Sequence, residues 1–439
     1  MLKKILSGSL SVLSGQVAGI LLGAANKILL ARLLGPTYWG IYTILLKICN
    51  IAEILSLLGT NTVILKLLGT AVGSGDWGRL KGTLTGIFRI IIVSSSAVAF
   101  IIYWSGDLIA IRFFHSRELY AVLVWGAVAL PLRNCLLITV EAFRGLQDLK
   151  TASFLPVLQQ VVFLMSLIFL HYNALASIHN ALIAFFAGIL CPLLAGLMIL
   201  YHRTAPWPSE KISPAGILRE SLPMVVTRGS LLIMSNMDFY VLGLYAEPAE
   251  VGIYGVVSTL AATVVFPLNI FNQVIPAMLA HYNAQNDYQR LAYVVRFAST
   301  LGTMFSAPIF ILLMLFDKHM LNLYFGYHYS SGTGALYFLI AGQLVNSITG
   351  SCGYMLQMTG LHKLFMKISL TCGIINLILD FFMVRHFGKE GIAAATAFSL
   401  ATQNILTMVV VYRKTGIWTM VSPKLLSDIA KQAGKYICY

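Results

Sequence analysis

The sequence predicts an all-α membrane protein of about twelve transmembrane helices in two six-helix lobes, and three observations carry that expectation. Of its 439 residues 58% are hydrophobic and only 10% charged, with mean hydropathy +0.82, more apolar surface than one water-soluble core can hide. Apolar runs long enough to cross a hydrocarbon core, about 20 residues each, recur from one end to the other and leave no stretch for a soluble domain. Loops in the two halves also match one another in order.

Apolar runs against polar punctuation place spans at 5 to 30, 38 to 62, 83 to 104, 119 to 140, 152 to 171 and 179 to 201. The second set is 221 to 245, 251 to 277, 291 to 316, 333 to 357, 364 to 385 and 391 to 412. The organisation is therefore a first lobe over 1–201, a linker over 202–220, a second lobe over 221–412 and a basic tail over 413–439. Met1-Leu2-Lys3-Lys4 before an apolar run imitates a signal peptide, but the run is too long and continues into the repeated unit.

The 30 Lys and Arg against 16 Asp and Glu give a formal charge of +14. With both termini cytoplasmic, eighteen cations fall in inner segments and six in outer ones, as the positive-inside rule requires. The excess is thus explained by orientation, and no nucleic-acid partner is expected. Five of the six cysteines lie inside apolar runs and argue against a disulfide framework. The nine histidines show no metal-ligand spacing, so neither metal nor cofactor is expected.

At an offset of 212, Gly35-Pro36 and Gly40-Ile41-Tyr42 align with Glu247-Pro248 and Gly252-Ile253-Tyr254, keeping Pro, Gly, Ile and Tyr in register. At 211, Asp76-Trp77-Gly78-Arg79-Leu80 meets Asp287-Tyr288-Gln289-Arg290-Leu291, and at 215 Gly145-Leu146 meets Gly360-Leu361. Three ordered matches in polar loops indicate an internal repeat. An even number of spans per copy gives both lobes one orientation, related by an axis along the membrane normal. Pro36 with Gly35 and Gly40 is first of all a hairpin device, since the helix must reverse in few residues.

A charge deep in a span costs roughly 2.5 to 3.5 kcal/mol on insertion scales and should face protein or a wet cavity. The candidates are Lys27, Lys47, Glu53, Arg89, Arg133, Arg228, Asp238 and Asp380. Arg89, Arg133 and Arg228 each lie six or seven residues from the cytoplasmic end of a span, near about 10 Å depth. They read either as a cationic ring whose guanidinium forks suit phosphate oxygens, or as groups that snorkel or pair with local carboxylates. Asp238, Asp380 and Glu53 are candidates for ion coupling and equally for neutralising a neighbouring cation. Gly15, Gly19 and Gly23 recur every four residues, a spacing that suits close helix packing and turns the polar edge with Lys27 inward.

The run from Leu29 to Tyr42, the Gly145-Leu146-Gln147-Asp148-Leu149 loop and the Gly388-Lys389-Glu390-Gly391-Ile392-Ala393 turn resemble the Wzx-type polysaccharide transporters of the multidrug/oligosaccharidyl-lipid/polysaccharide exporter (MOP) superfamily. The resemblance covers essentially the whole chain and implies a MATE-like architecture. It implies export of undecaprenyl-diphosphate-linked oligosaccharide across the bacterial inner membrane for O-antigen, capsule or exopolysaccharide. H+ or Na+ is then a candidate coupling ion, and a polysaccharide polymerase a candidate partner. A diphosphate could pass from the arginines to Lys27 and Lys47 as access switches. Outward movement of a dianion runs with an inside-negative potential, worth roughly 4 to 5 kcal/mol per 100 mV, so ion antiport is not compulsory.

Rival readings remain. Lipid II flippases carry two further helices and adjacent arginines in the second span, where this chain has Ala52-Glu53-Ile54. A MATE-like drug or cation antiporter should centre on buried carboxylates, whereas deep Arg and Lys outnumber acids here. A membrane glycosyltransferase or polymerase needs acids or histidines gathered in a sizeable outer loop; the longest, near 105 to 118 and 317 to 332, are short and poor in acids. Gly73-Ser74-Gly75-Asp76-Trp77-Gly78 fits a dinucleotide fingerprint only as a string, because a membrane helix precedes it where a strand is needed.

Overall fold

The first helix shows how this chain makes hairpins. In the computed structural model α1 (Leu2–Leu57) runs through both of the first two predicted spans and breaks once, at Gly35, with φ 70° and ψ 174°. That backbone is open to glycine and strained for other residues, and Pro36 cannot donate to the preceding turn. The structure describes residues 2–114, 116–172, 177–208, 210, 212–219, 221–222, 225, 236–272 and 275–422, and every regular element among them is helical. Residues 223–224 and 226–235 of the predicted span 221–245, with them Arg228, and the tail beyond residue 422 lie outside the described residues.

The chain divides into two compact units, Met1–Gly252 and Ile253–Tyr439. In the first, α1 is followed by α2 (Thr60–Ser74), α3 (Trp77–Asp107), α4 (Arg117–Gly145), α5 (Leu149–Tyr172), α6 (Ile178–Thr204), α7 (Met237–Tyr245) and the start of α8 (Pro248–Phe271). One predicted span is extended here and one expected loop corrected. The inner segment after residue 62 is a helix, because Ile64, Leu68 and Ala71 recur at helical spacing and bury one face in the core with Leu80, Ile87, Ile138 and Phe143. The outer loop near 105 to 118 is mostly helical as well, since α3 continues into a π-helical turn over Leu108–Phe113.

The second unit holds the rest of α8, then α9 (Ile275–Ala284), α10 (Tyr288–Leu315), α11 (Asp317–Tyr324), a 3-10 turn over Tyr327–Gly332, α12 (Thr333–Thr349), α13 (Cys352–Met358) and α14 (His362–Thr415). The outer loop expected at 317 to 332 is thus helical too. Like α1, α14 covers two predicted spans and breaks at a positive-φ glycine, Gly388. Among the described residues, eight helices are long and apolar enough to cross a membrane, or nine if the bent pair Tyr327–Thr349 and Cys352–Met358 counts as one span. Large apolar side chains such as Phe100, Trp104, Phe169 and Met198 stay exposed, the surface of a protein whose solvent is lipid. The chain is a multi-pass membrane protein.

Turns matched in sequence share their backbone geometry. Asp76 caps α3 with φ −87° and ψ 82°, its Oδ1 accepting from Arg79 N–H at 2.9 Å. Asp287 caps α10 with φ −87° and ψ 78° and accepts from Arg290 N–H at 3.0 Å. The residues just before them, Gly75 and Asn286, are both left-handed at φ 70° and 55°. The third match shifts register: Gln147 (φ 60°) and Gly360 (φ 81°) hold equivalent positions, followed by Asp148 N–H donating to Phe143 O and Leu361 N–H to Leu356 O, both at 2.9 Å. The offset there is 213 instead of 215, because backbone conformation fixes the equivalence and the shared Gly-Leu letters do not.

A further correspondence went unnoticed in the sequence. Arg203-Thr204-Ala205-Pro206-Trp207 and Lys414-Thr415-Gly416-Ile417-Trp418 are 211 residues apart. Trp207 stacks on Trp77 at 4.8 Å between ring centroids and Trp418 on Tyr412 at 4.2 Å. Each segment straps its own unit: Lys81 Nζ donates to Trp207 O at 2.8 Å, and Arg296 Nε to Trp418 O at 3.0 Å.

Candidate functional site

The first unit contains a cavity of about 200 Å³ walled by α1, α4, α5 and α6. The Gly35 hairpin makes it possible, since α1 contributes Asn26, Lys27 and Leu30 from one leg and Trp39, Tyr42 and Leu46 from the other. The other three helices each carry a proline close to their lining residues: Pro131 near Arg133, Pro156 near Gln159 and Gln160, and Pro192 near Gly188. A proline inside a helix removes one backbone hydrogen bond and bends the rod, which makes room for a wall of long side chains.

The wall is cationic and polar. Lys27 is open to the cavity and has no hydrogen-bonding or ionic partner among the described residues. Arg133 Nη2 is 3.0 Å from Glu53 Oε2 and 3.0 Å from Asn50 Oδ1. Glu53 is thereby committed to Arg133, and Lys27 leaves the wall with one uncompensated positive charge. Asn26 is buried and donates from Nδ2 to Gln160 O at 3.0 Å and Gln160 Oε1 at 2.8 Å. Asn26 Oδ1, Trp39 Nε1 and Arg133 Nη1 are buried with no hydrogen-bond partner among the described residues.

The predicted residues separate into groups. Lys27, Arg133 and, through Arg133, Glu53 come together at the cavity. Lys47 is fastened elsewhere: its Nζ donates to Asn236 Oδ1 at 2.5 Å and lies 3.8 Å from the centre of the Phe239 ring, while Tyr240 Oη donates to Lys47 O at 2.8 Å. Asp238 sits in the first turn of α7 and accepts from Phe239 N–H at 2.9 Å, where a carboxylate complements the helix dipole. Arg89 is exposed and lines none of the described cavities. Arg228 lies outside the described residues.

In the second unit Asp380 is fully buried and accepts from Asn376 Nδ2 at 2.8 Å. Gln403 Nε2 donates to Ser369 Oγ at 3.1 Å across the two legs of α14. No group of three or more His, Cys, Asp and Glu able to hold a metal occurs among the described residues. Search by charge alone missed Gln159, Gln160, Trp39 and Tyr42. The adjacent Gln159-Gln160 pair inside an apolar span was the signal that could have found the α5 wall.

Residues 5–281 match the family model of polysaccharide biosynthesis proteins, and residues 223–382 match the MatE family model. The chain is 23% identical over 230 residues to the probable low-salt glycan biosynthesis flippase Agl15 of Haloferax volcanii, covering 50% of this chain and 48% of that one. It therefore spans about half the length of the curated relative it matches. The fold is similar to an inward-facing multidrug resistance MATE family transporter of the MOP superfamily, with TM-score 0.77 and 13% identity over 91% of this chain and 94% of that one. It is also similar to the lipid II flippase MurJ in an inward closed conformation, with TM-score 0.72 and 14% identity over 92% and 87%. The match over most of its length places this helical, multi-pass chain in the polysaccharide biosynthesis protein family.

Proposed function

We propose that the chain is a lipid-linked oligosaccharide flippase, exporting undecaprenyl-diphosphate-linked glycan across the bacterial inner membrane by alternating access. The single observation that carries this reading is the cavity of the first unit, where Lys27 and Arg133 face the void and Glu53, the acid beside Arg133, is already paired with it. A bare dianion in hydrocarbon meets a prohibitive solvation barrier. A wet cationic wall with donors to spare is what such a headgroup needs. The family match and the glycan flippase relative support the same cargo class.

The accompanying layout has twelve spans in lobes at 1–201 and 221–412, a linker over 202–220 and both termini cytoplasmic. The breaks of α1 and α14 at Gly35 and Gly388 support it, because each divides one long helix where two spans were expected to meet. Asp380, buried beside Asn376, is the better placed group for H+ or Na+ coupling, and a polysaccharide polymerase is the natural downstream partner. The rival drug or cation antiporter shares the fold, but the Arg133–Glu53 pair disfavours it by removing the carboxylate a cation would need. The test is cellular: loss of the protein, or Lys27→Ala at normal membrane abundance, should trap lipid-linked glycan on the cytoplasmic leaflet. Normal surface glycan in the Lys27→Ala strain would reject the reading.

A further inference from the structure

The two copies of the repeat treat one span differently. In the first, α4 (Arg117–Gly145) is a continuous helix. Its counterpart in the second, at the offset of 213 that Gln147 and Gly360 define, is broken into α12 and α13, bent by 46°. The break falls at Gly350, with φ 69° and ψ −150°, a backbone open to glycine and strained for other residues. Leu137 holds the equivalent position inside α4.

The strap that follows α14 fills the break. Thr419 Oγ1 donates to Thr349 O at 2.8 Å, and Val421 N–H donates to Ile348 O at 3.2 Å. An unbroken helix would give those two carbonyls the amides four residues on, from Gly353 and Cys352. Cys352 N–H donates instead to Gly350 O at 2.8 Å. Strap and straight helix therefore compete for the same acceptors. A polar face of α10 holds the strap there: Arg296 Nε donates to Trp418 O at 3.0 Å, Ser299 Oγ to Thr419 O at 2.6 Å, and Thr300 Oγ1 accepts from Ser422 N–H at 3.1 Å. Ser299 and Thr419 are fully buried. The matching strap of the first unit bonds to α3, where Glu210 N–H donates to Gly78 O at 3.1 Å, and α4 runs unbroken beside it.

We infer that residues 417–422 are a latch that holds the second-unit span bent, and that withdrawing the latch lets α12 and α13 close into one helix, as α4 already is. The end of α13 lies about 12 Å beyond the hinge, so straightening by 46° carries it about 9 Å sideways. Asn283 Nδ2, which now donates to Met358 O at 3.3 Å, would lose that partner. The motion stands on this geometry alone, and its use in export rests on the flippase reading.

The test uses the purified full chain carrying Asn283→Cys and Met358→Cys, with the disulfide between them identified by peptide mass spectrometry. In the latched form oxidation should link the pair readily. Ser299→Ala with Thr419→Val removes two latch bonds and should slow linking about tenfold, the scale of one or two lost hydrogen bonds. Gly350→Ala should slow it as well, because its Cβ would lie 1.7 Å from Ser299 Oγ in the bent form, whereas a continuous helix prefers alanine to glycine. Once linked, the chain should move no polyprenyl-diphosphate oligosaccharide across liposomes, and a reductant should restore movement. Linking rates unchanged in both variants would overturn the latch, and full movement by the linked chain would overturn its place in the cycle. Should neither variant accumulate as folded protein, the linked and reduced forms of the chain with the cysteine pair alone decide the matter. A reduced chain that moves no lipid would bring down the flippase reading and leave the linking rates to judge the latch.

Discussion

Removing Arg133 should do two separable things, and the geometry sets the size of the first. The guanidinium is 3.0 Å from Glu53 Oε2 and 3.0 Å from Asn50 Oδ1, with the two charged side chains 26% and 16% exposed. An exposed ion pair contributes about 0 to 1 kcal/mol, and breaking a fully buried one by deleting a partner costs about 3 to 5. A pair this sheltered should fall between, so Arg133→Ala is expected to destabilise by about 2 to 3 kcal/mol, because it strands a carboxylate. Adding Glu53→Gln removes the stranded charge and should recover most of that loss. Export should not recover, since the double variant has lost the cation that holds the cargo. Thermal unfolding of the purified variants reads the first effect and surface glycan in complemented cells the second. Stability of Arg133→Ala equal to wild type would refute the energetic argument, and normal export by the double variant would refute the cargo role.

Three further outcomes follow from the same coordinates. Gly40→Ala should abolish accumulation of folded protein in the membrane, because an added Cβ would lie 1.6 Å from Pro248 O, whereas Gly19→Ala, with nothing within 4 Å, should be neutral or slightly stabilising; membrane yield and unfolding temperature compare them. Asn134→Ala should cost about 1 to 2 kcal/mol in unfolding measurements, since its Nδ2 donates to Ser56 Oγ at 2.6 Å and Ser95 Oγ at 2.8 Å inside the core. Lys27→Arg should keep part of the export that Lys27→Ala loses, measured in the same complemented cells, because the charge stays while the headgroup changes from ammonium to guanidinium.

Helices were legible wherever hydropathy alone defines them, and less so where periodicity must be weighed against polar residues. The second span was expected to end at residue 62, yet the chain breaks at Leu58-Gly59 and a separate helix runs on to Ser74, with Ile64, Leu68 and Ala71 burying its inner face. The Gly35-Pro36 hairpin was visible because its chemistry is local. The match of Gly145 with Gly360 failed by two residues because a left-handed conformation can be held by Gln147 in one copy and glycine in the other. Of the deep charges, Lys27 and Arg133 were found by their cost in a membrane. Their environment was not, because neither the pairing of Arg133 with Glu53 nor the capture of Lys47 by Asn236 can be read from one helix at a time. The neutral part of the wall escaped for a different reason: Gln159, Gln160, Trp39 and Tyr42 carry no net charge, and their role appears only when four helices meet.

The central claim is that this chain moves a diphosphate-linked glycan across a bilayer through a cationic cavity. The most direct measurement reconstitutes the purified protein in liposomes loaded with polyprenyl-diphosphate oligosaccharide and follows how much becomes accessible to an added, impermeant glycosidase. With the wild-type chain the inner-leaflet pool should become accessible over time, and with Lys27→Ala only the outer-leaflet pool should be cleaved. Cleavage confined to the outer leaflet with the wild-type chain, matching protein-free liposomes, would contradict the account.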